Sequence, residues 1–272
     1  MSELPQVRPN FTDPPLIEQA IVVAFDPIDG FDINHYGLFS EKIASEFSSN
    51  GSTPRMENPI EHFNEMMATA PMFKINAFEL PRAIYGNATG ETIQIQDNRF
   101  GFNWSKNSDE PYPRFETTYE RFKELYHIFE SFCSDCGLKI PDIKQCELTN
   151  LNIVPVSDFG HDFNDMGNAF AIDPLALNDK LLIPETYVRT RQHRIINNVA
   201  DPIGRLHTVI QPVIKNDDKS KAFRFELTAR SAPVLGGLSE AKAFFDIARS
   251  AINAAFLGTT TDAMRRKWGE KK

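Results

Sequence analysis

The sequence lacks the signals that carry a chain into or across a membrane. It has no apolar run approaching the roughly 20 residues that a membrane-spanning helix needs. Its first residues, MSELPQVRPNFTDPP, are polar and proline-rich instead of forming the apolar core of a signal peptide. Cysteine is scarce, and three cysteines without a secretion signal favour a reducing compartment. We therefore expect a cytoplasmic protein with no membrane association.

Excess positive charge is also lacking. The chain has 29 Lys and Arg against 37 Asp and Glu, a net charge of -8, so it has no overall basic footprint for nucleic acid. Nucleic-acid binding through a local patch stays open but is not favoured. The glycine-rich phosphate loops, the nucleophile elbow and the His-Glu-x-x-His motif are all missing. These absences favour binding over catalysis, and we expect no cofactor.

The bulk composition is that of an ordinary globular protein. The 272 residues, of which 41% are hydrophobic, suit one large domain with a core of its own. We expect an irregular leader over residues 1–15 and a single unit over 16–272. Within that unit, the order of predicted elements suggests two related halves, 16–140 and 141–272.

Hydrophobic periodicity predicts an α+β fold. Several segments alternate between apolar and polar residues, and two longer segments repeat apolar residues every three or four positions. The result is a largely antiparallel β-sheet with long amphipathic helices on one face, arranged as two pseudo-repeated halves. The predicted strands cover 20–25, 73–78, 82–87, 91–105, 144–156, 186–199, 205–214 and 221–229, and the predicted helices cover 34–48, 60–69, 115–136 and 239–256.

The stretch 93-IQIQDNRFGFNW-104 predicts one long strand whose apolar side changes near Asp97-Asn98. Its isoleucines face one way, whereas its phenylalanines and tryptophan face the other. Arg99 and Asn103 lie opposite Trp104 and are candidates for contact with a protein partner. A later predicted strand adds a polar face that must be solvated or must meet an acidic partner, formed by Arg189, Arg191 and His193.

The loop 158-DFGHDFNDMGN-168 supports an alternative of another class. Imidazole and carboxylate groups are metal ligands, so His161, Asp162 and Asp165 could serve a metal-dependent hydrolase or nuclease. Asp, Asn and Gly also favour turns for purely local reasons, which makes an ordinary surface loop the competing interpretation. Cys133 and Cys136 lie at the end of a predicted helix on its apolar side, which favours buried thiols over a redox pair.

Several motifs resemble a sporadically distributed prokaryotic family with no assigned function. They are 98-NRFGFNW-104, 112-YPRFE-116, 146-CELTNLNI-153 and the terminal Trp268-Gly269. The sequence departs from the family pattern at Ser105 and Glu270, where the family has Arg, and at Arg249, where it has His. The sporadic distribution implies horizontal transfer, as in genomic islands, toxin–antitoxin pairs or anti-phage loci.

These observations favour a non-enzymatic binding protein that acts through a protein partner. The resemblance implies a role as sensor or antagonist in a mobile defence or toxin-control locus. A second copy of the chain is a further candidate partner, since nothing in the sequence determines the oligomeric state.

Overall fold

The computed structural model describes residues 8–58, 61, 79–107, 112–171, 189–196, 202–233 and 236–271. Nine strands form one sheet in which every pair of neighbours is antiparallel. The strands are β1 (Leu16–Phe25), β2 (Ser49–Thr53), β3 (Arg82–Gly86), β4 (Glu91–Gln96), β5 (Arg99–Ser105), β6 (Ile143–Pro155), β7 (Arg189–Ile196), β8 (Pro202–Ile214) and β9 (Lys221–Ser231).

The order across the sheet is β2-β3-β4-β5-β1-β6-β9-β8-β7. Strands β1 and β6 pair with each other at the centre. Each of them is flanked on its outer side by an antiparallel meander. Strands β5, β4, β3 and β2 lie beside β1, and strands β9, β8 and β7 lie beside β6. The predicted α+β class with an antiparallel sheet is confirmed.

A long helix follows the strand that ends each meander in chain order. Helix α2 (Arg114–Asp135) follows β5, and α3 (Leu238–Thr259) follows β9. The shorter helices are α1 (Ile33–Ile43), between β1 and β2, and α4 (Asp262–Lys267), after α3. Beyond α2, Gly137 adopts the left-handed conformation (φ 73°) that favours glycine after a helix. Within the described residues, no helix combines the length and apolarity needed to cross a membrane.

The prediction of one continuous strand over 91–105 is wrong. Asp97 and Asn98 form a tight turn between β4 and β5, and Gln96 pairs with Arg99 across it. The change of apolar side in the sequence is therefore the reversal of a hairpin, which puts the isoleucines and phenylalanines on one face. Strand β2 lies at Ser49–Thr53, where no strand was predicted. Apart from Glu61, the helix predicted over 60–69 lies outside the described residues, and so does the strand predicted over 73–78.

The core lies between α2, α3 and one face of the sheet. Phe100 of β5 stacks on Phe129 of α2 with ring centroids 5.2 Å apart, and Phe225 of β9 stacks on Phe256 of α3 at 5.8 Å. Tyr119 of α2 meets Phe245 of α3 at 5.6 Å, which joins the two helices. Burial of each large apolar side chain stabilises the fold by about 1.5–3 kcal/mol. The opposite face of the central strands carries polar side chains.

Candidate ligand cavity

A cavity of about 420 Å³ opens on the helix side of the central strands. Its walls come from β1 and β6, from the N-terminal turn of α2, from the middle of α3 and from residues 8–14. This volume falls within the range of about 300–1,000 Å³ that is typical of small-molecule pockets. The cavity therefore interrupts the core where the two halves of the sheet meet.

Amide side chains occupy the deep end of the cavity. Gln19 of β1 is only 2% exposed, and its Oε1 accepts a hydrogen bond from the Thr118 hydroxyl at 2.5 Å. Its Nε2 donates to the Tyr112 hydroxyl and to Asn150 Oδ1, both at 2.9 Å. Both donors of Gln19 are thus used to position Tyr112 and Asn150, and Thr118 holds its oxygen in place.

Three polar groups at this end have no acceptor or donor among the described residues. Asn152 is 3% exposed and donates from Nδ2 to the Phe225 carbonyl at 3.0 Å, but no described residue donates to its Oδ1. Asn150 accepts through Oδ1, which leaves its Nδ2 as a free donor. Tyr112 accepts from Gln19, and burial raises its pKa well above the ordinary value, so the phenol keeps a proton to donate. Asn152 is buried, whereas Asn150 and Tyr112 are half-buried, so their open groups face the cavity and are available to a ligand or to water.

The mouth of the cavity is positively charged. Arg249 of α3 donates to Glu116 at 2.7 Å, and Lys106 donates to Asp13 at 3.1 Å. Burial alone would raise the pKa of Glu116, but its own backbone N–H and the hydrogen bond from Arg249 outweigh this and lower it. Two further arginines bring the number of cations around the cavity to four, and Asp13 is the one carboxylate among the described residues that line it. The four cations are Arg8, Lys106, Arg114 and Arg249.

Arg114 has an unusual backbone at the start of α2. Its φ of 69° lies in the left-handed region, which is uncommon for a residue other than glycine and occurs at functional sites. Its guanidinium donates to Asn10 Oδ1 at 3.1 Å at the edge of the cavity. Pro113 provides no side-chain cap, so the N-terminal end of α2 adds a partial positive charge beside Arg114.

Aromatic rings form the remaining walls. Phe11 packs edge-on against Phe256 with centroids 5.7 Å apart and also contacts Trp268 at 6.4 Å. Backbone hydrogen bonds hold this wall against the C-terminal segment, with Asp13 donating to the Trp268 carbonyl at 3.1 Å. Part of the predicted leader is therefore a wall of the cavity.

Arg99 and Asn103 lie on the opposite face of the sheet. Arg99 is 6% exposed and donates to Glu147 at 3.2 Å, and burial lowers the pKa of its guanidinium despite that carboxylate. Asn103 is 8% exposed and bonds Glu18 and Gln94. Their predicted role in partner contact is not tested by this arrangement, but both side chains are engaged within the protein.

The basic residues of the later predicted strand lie on β7, at one edge of the sheet. Arg189, Arg191 and His193 pair with alternate residues of β8 and share one face of the strand. Arg191 and His193 are exposed, and Arg189 is half-buried. The structure keeps this group about the width of three strands from the cavity on β6.

The acidic loop is internally satisfied. Asp165 accepts the backbone N–H groups of His161 (2.7 Å) and Asp162 (3.0 Å), which lower its pKa. Asp162 pairs with Lys221 at 2.5 Å and has its pKa lowered chiefly by that hydrogen bond. Across the described part of the chain, no three His, Cys, Asp or Glu side chains are arranged to hold a metal ion. The metal site thus stays a hypothesis that these contacts do not support.

The sequence contained a signal for the cavity that pattern analysis did not use. Asn150 and Asn152 continue the alternation of Cys146 and Leu148, so their amides occupy positions that should face the core. Of the departures from the family pattern, Arg249 lines the cavity, whereas Glu270 forms an isolated bridge with the wall residue Phe11.

No family model, curated protein sequence or solved structure matches the chain.

Proposed function

We propose that this chain is a non-enzymatic binding protein that holds a small anionic ligand in the cavity between β1, β6, α2 and α3. The observation that carries the proposal is the set of open hydrogen-bonding groups on Tyr112, Asn150 and Asn152 inside a cavity of about 420 Å³. A ligand that bonds these groups replaces their hydrogen bonds to water, and each such exchange contributes about 0.5–1.5 kcal/mol to affinity.

The side chains around the cavity favour binding over catalysis. The described residues that line it include amides, a phenol, cations and aromatic rings, but no histidine, cysteine or serine. Asp13 is the one carboxylate in that lining, and it is paired with Lys106. A general base needs an open position beside the reacting group, and Asp13 lies at the exposed rim instead.

The test uses an anionic aromatic probe, 8-anilinonaphthalene-1-sulfonate. Its sulfonate matches the cationic mouth, and its rings match the walls formed by Phe11, Phe115 and Phe256. Both tryptophans of the chain contact wall residues, Trp104 through Tyr112 (5.2 Å) and Trp268 through Phe256 (5.6 Å), so tryptophan fluorescence reports occupancy. We expect saturable, one-to-one binding to the folded protein.

A cavity-filling variant gives the matched control. Asn253→Trp introduces an indole into the cavity from α3 and should reduce probe binding at least tenfold. Ala254→Trp places the same ring on the next, exposed position and should leave binding unchanged. Equal binding by both variants, with native circular dichroism, would show that the probe binds elsewhere and would end the proposal.

As a second function, we propose that the chain also binds a protein partner. The exposed Arg191 and His193 on the edge strand β7 support it, because an edge strand and a basic face suit contact with an acidic protein. A sensor role in a mobile defence or toxin-control locus follows from the family resemblance alone. The matching order of strand, meander and helix on both sides of the centre supports the proposed pseudo-repeat.

Co-purification from the native host tests the partner proposal. A partner that wild-type protein retains should be lost with the double variant Arg191→Glu/His193→Glu and kept with Asn253→Trp. A sedimentation measurement on purified protein tests the alternative of a homodimer. A monomer that retains no protein in either experiment would remove the partner proposal and leave the ligand proposal standing.

A further inference from the structure

We propose that the cavity receives a nucleoside monophosphate, with the base at the deep end and the phosphate at the mouth. This inference rests on the proposed function and adds the chemical class of the ligand. It draws on three separate features of the cavity, which are the polarity of the deep end, the aromatic walls and the charge at the mouth.

The deep end requires a ligand group that both donates and accepts hydrogen bonds. Asn152 Oδ1 needs a donor, whereas Asn150 Nδ2 and the Tyr112 hydroxyl need acceptors. An acyl chain or a plain phenyl ring would displace water from all three groups without replacing its hydrogen bonds, which is unfavourable. A nucleobase carries donors and acceptors along one edge, and asparagine is a common reader of such edges.

The walls suit a flat ring. Phe11, Phe115 and Phe256 line the cavity together with the amides. Phe256 already stacks on Phe225 at 5.8 Å, and the Arg249 guanidinium lies 5.3 Å from the Phe115 ring centroid, so these rings offer a flat ligand ring their edges. The apolar floor at Leu148, which is buried in the central strand β6, completes a slot between sheet and helices.

The mouth suits a phosphate monoester. The four cations around the cavity suit the charge of about -1.5 to -2 that a phosphate monoester carries at neutral pH. Arg249 and Arg114 offer the planar forks that recognise phosphate oxygens, and Arg114 lies at the N-terminal end of α2, which favours anions. The present partner of Arg249, Glu116, is 53% exposed, so a phosphate can displace it toward solvent.

The experiment measures displacement of 8-anilinonaphthalene-1-sulfonate and, in parallel, calorimetric binding. The competitors are AMP, GMP, CMP and UMP, their parent nucleosides, inorganic phosphate and phenyl phosphate. We expect at least one nucleotide to bind tenfold or more tightly than its nucleoside, than inorganic phosphate and than phenyl phosphate.

Two variants separate the ends of the ligand. Arg249→Gln should weaken nucleotide binding at least tenfold while leaving nucleoside binding unchanged, and Asn152→Leu should weaken both nucleotide and nucleoside. Arg191→Gln, which removes an exposed charge far from the cavity, is the control and should change neither.

The outcomes distinguish the two proposals. Two outcomes overturn this inference but leave the proposed function intact. In both, the probe binds and Asn253→Trp weakens its binding. In the first, no nucleotide displaces the probe; in the second, phenyl phosphate displaces it as well as the best nucleotide does. Nucleotide binding that Asn253→Trp does not affect also overturns it, because the nucleotide would then lie outside the cavity. Absence of any probe or nucleotide binding overturns both.

Discussion

The two faces of the central sheet both carry polar side chains, yet they differ in what those side chains bind. On the face away from α2 and α3, Glu147 accepts hydrogen bonds from Arg99 and Arg230, and Glu61 is paired with Arg205 and His207. The gap beside Arg99 measures about 10 Å³, which is room for one water at most. On the helix side, amides face a cavity of about 420 Å³.

This difference shows that a large number of ionised side chains does not by itself indicate a ligand-binding site. The ion-pair face contains more ionised groups, and its carboxylates and cations are paired with one another, although Nε of Arg99 is buried without a hydrogen-bond partner among the described residues. The helix side has fewer polar groups, and three of them have open hydrogen-bonding capacity within the described part of the chain. Residues that are paired internally contribute to stability, whereas residues with open capacity beside free volume are the ones available to a ligand.

The largest expected effect concerns the ion-pair face. Glu147→Ala should lower the free energy of unfolding by about 3 kcal/mol, because it leaves the buried guanidinium of Arg99 without its carboxylate. Urea unfolding measures this, and probe binding in the cavity should be unchanged. The double variant Arg99→Met/Glu147→Leu should recover most of the loss. A loss below about 1 kcal/mol, typical of an exposed pair, would contradict the description of this face as closed.

A smaller effect is expected on the helix side. Thr118→Val should lower the free energy of unfolding by about 1 kcal/mol, because Oε1 of the buried Gln19 loses its donor. Since Gln19 positions Tyr112 and Asn150, probe affinity should fall several-fold as well. The control is Thr117→Val, at the exposed neighbouring position of α2. Loss of stability without loss of affinity would mean that Gln19 does not organise the cavity.

The smallest effect is a pH dependence of the ion-pair face. Burial of Glu61 opposes its charged form, but the hydrogen bond from His207 and the charges of His207, Arg205 and Arg230 outweigh it and lower its pKa. The pKa is thus lower in the folded state, so the stabilisation is fully present above the ordinary value of about 4.3 and is lost as pH falls through the folded pKa.

Glu61→Gln provides the comparison for that pH dependence. The difference in unfolding free energy between wild type and Glu61→Gln should shrink as the solution is acidified below about 4.3. A difference that grows on acidification would contradict the lowered pKa of Glu61.

Much of the fold was predictable because periodicity is a local property. The spacing of Phe115, Phe122 and Phe129 indicated α2, and alternation indicated β6, β8 and β9. The hairpin at Asp97-Asn98 was missed because an abrupt reversal and a phase change within one strand produce the same pattern of residues. Asp97 and Asn98 both favour turns, but the pair lacks the glycine that marks the commonest two-residue hairpin turns, so the turn signal was weak.

The cavity was not predictable, because it is assembled from segments far apart in the chain. Gln19 and Thr118 are 99 positions apart, and Arg249 and Glu116 are 133 apart. The amides at 150 and 152 indicate a polar cavity only once it is known that α2 and α3 cover that face of the sheet. The candidate residues chosen from sequence were conspicuous because of their charge, and charge is the property that internal ion pairs share with binding sites.

The sequence by itself determined the α+β class and the antiparallel strands, because side-chain alternation and helical spacing are set by neighbouring residues. Only the tertiary structure decided which polar residues would be paired and which would face free volume. It did so by placing β1 beside β6 at the centre of the sheet and by leaving a gap between those strands and the two helices. Pairing and free volume depend on contacts between distant segments, and no local pattern encodes them.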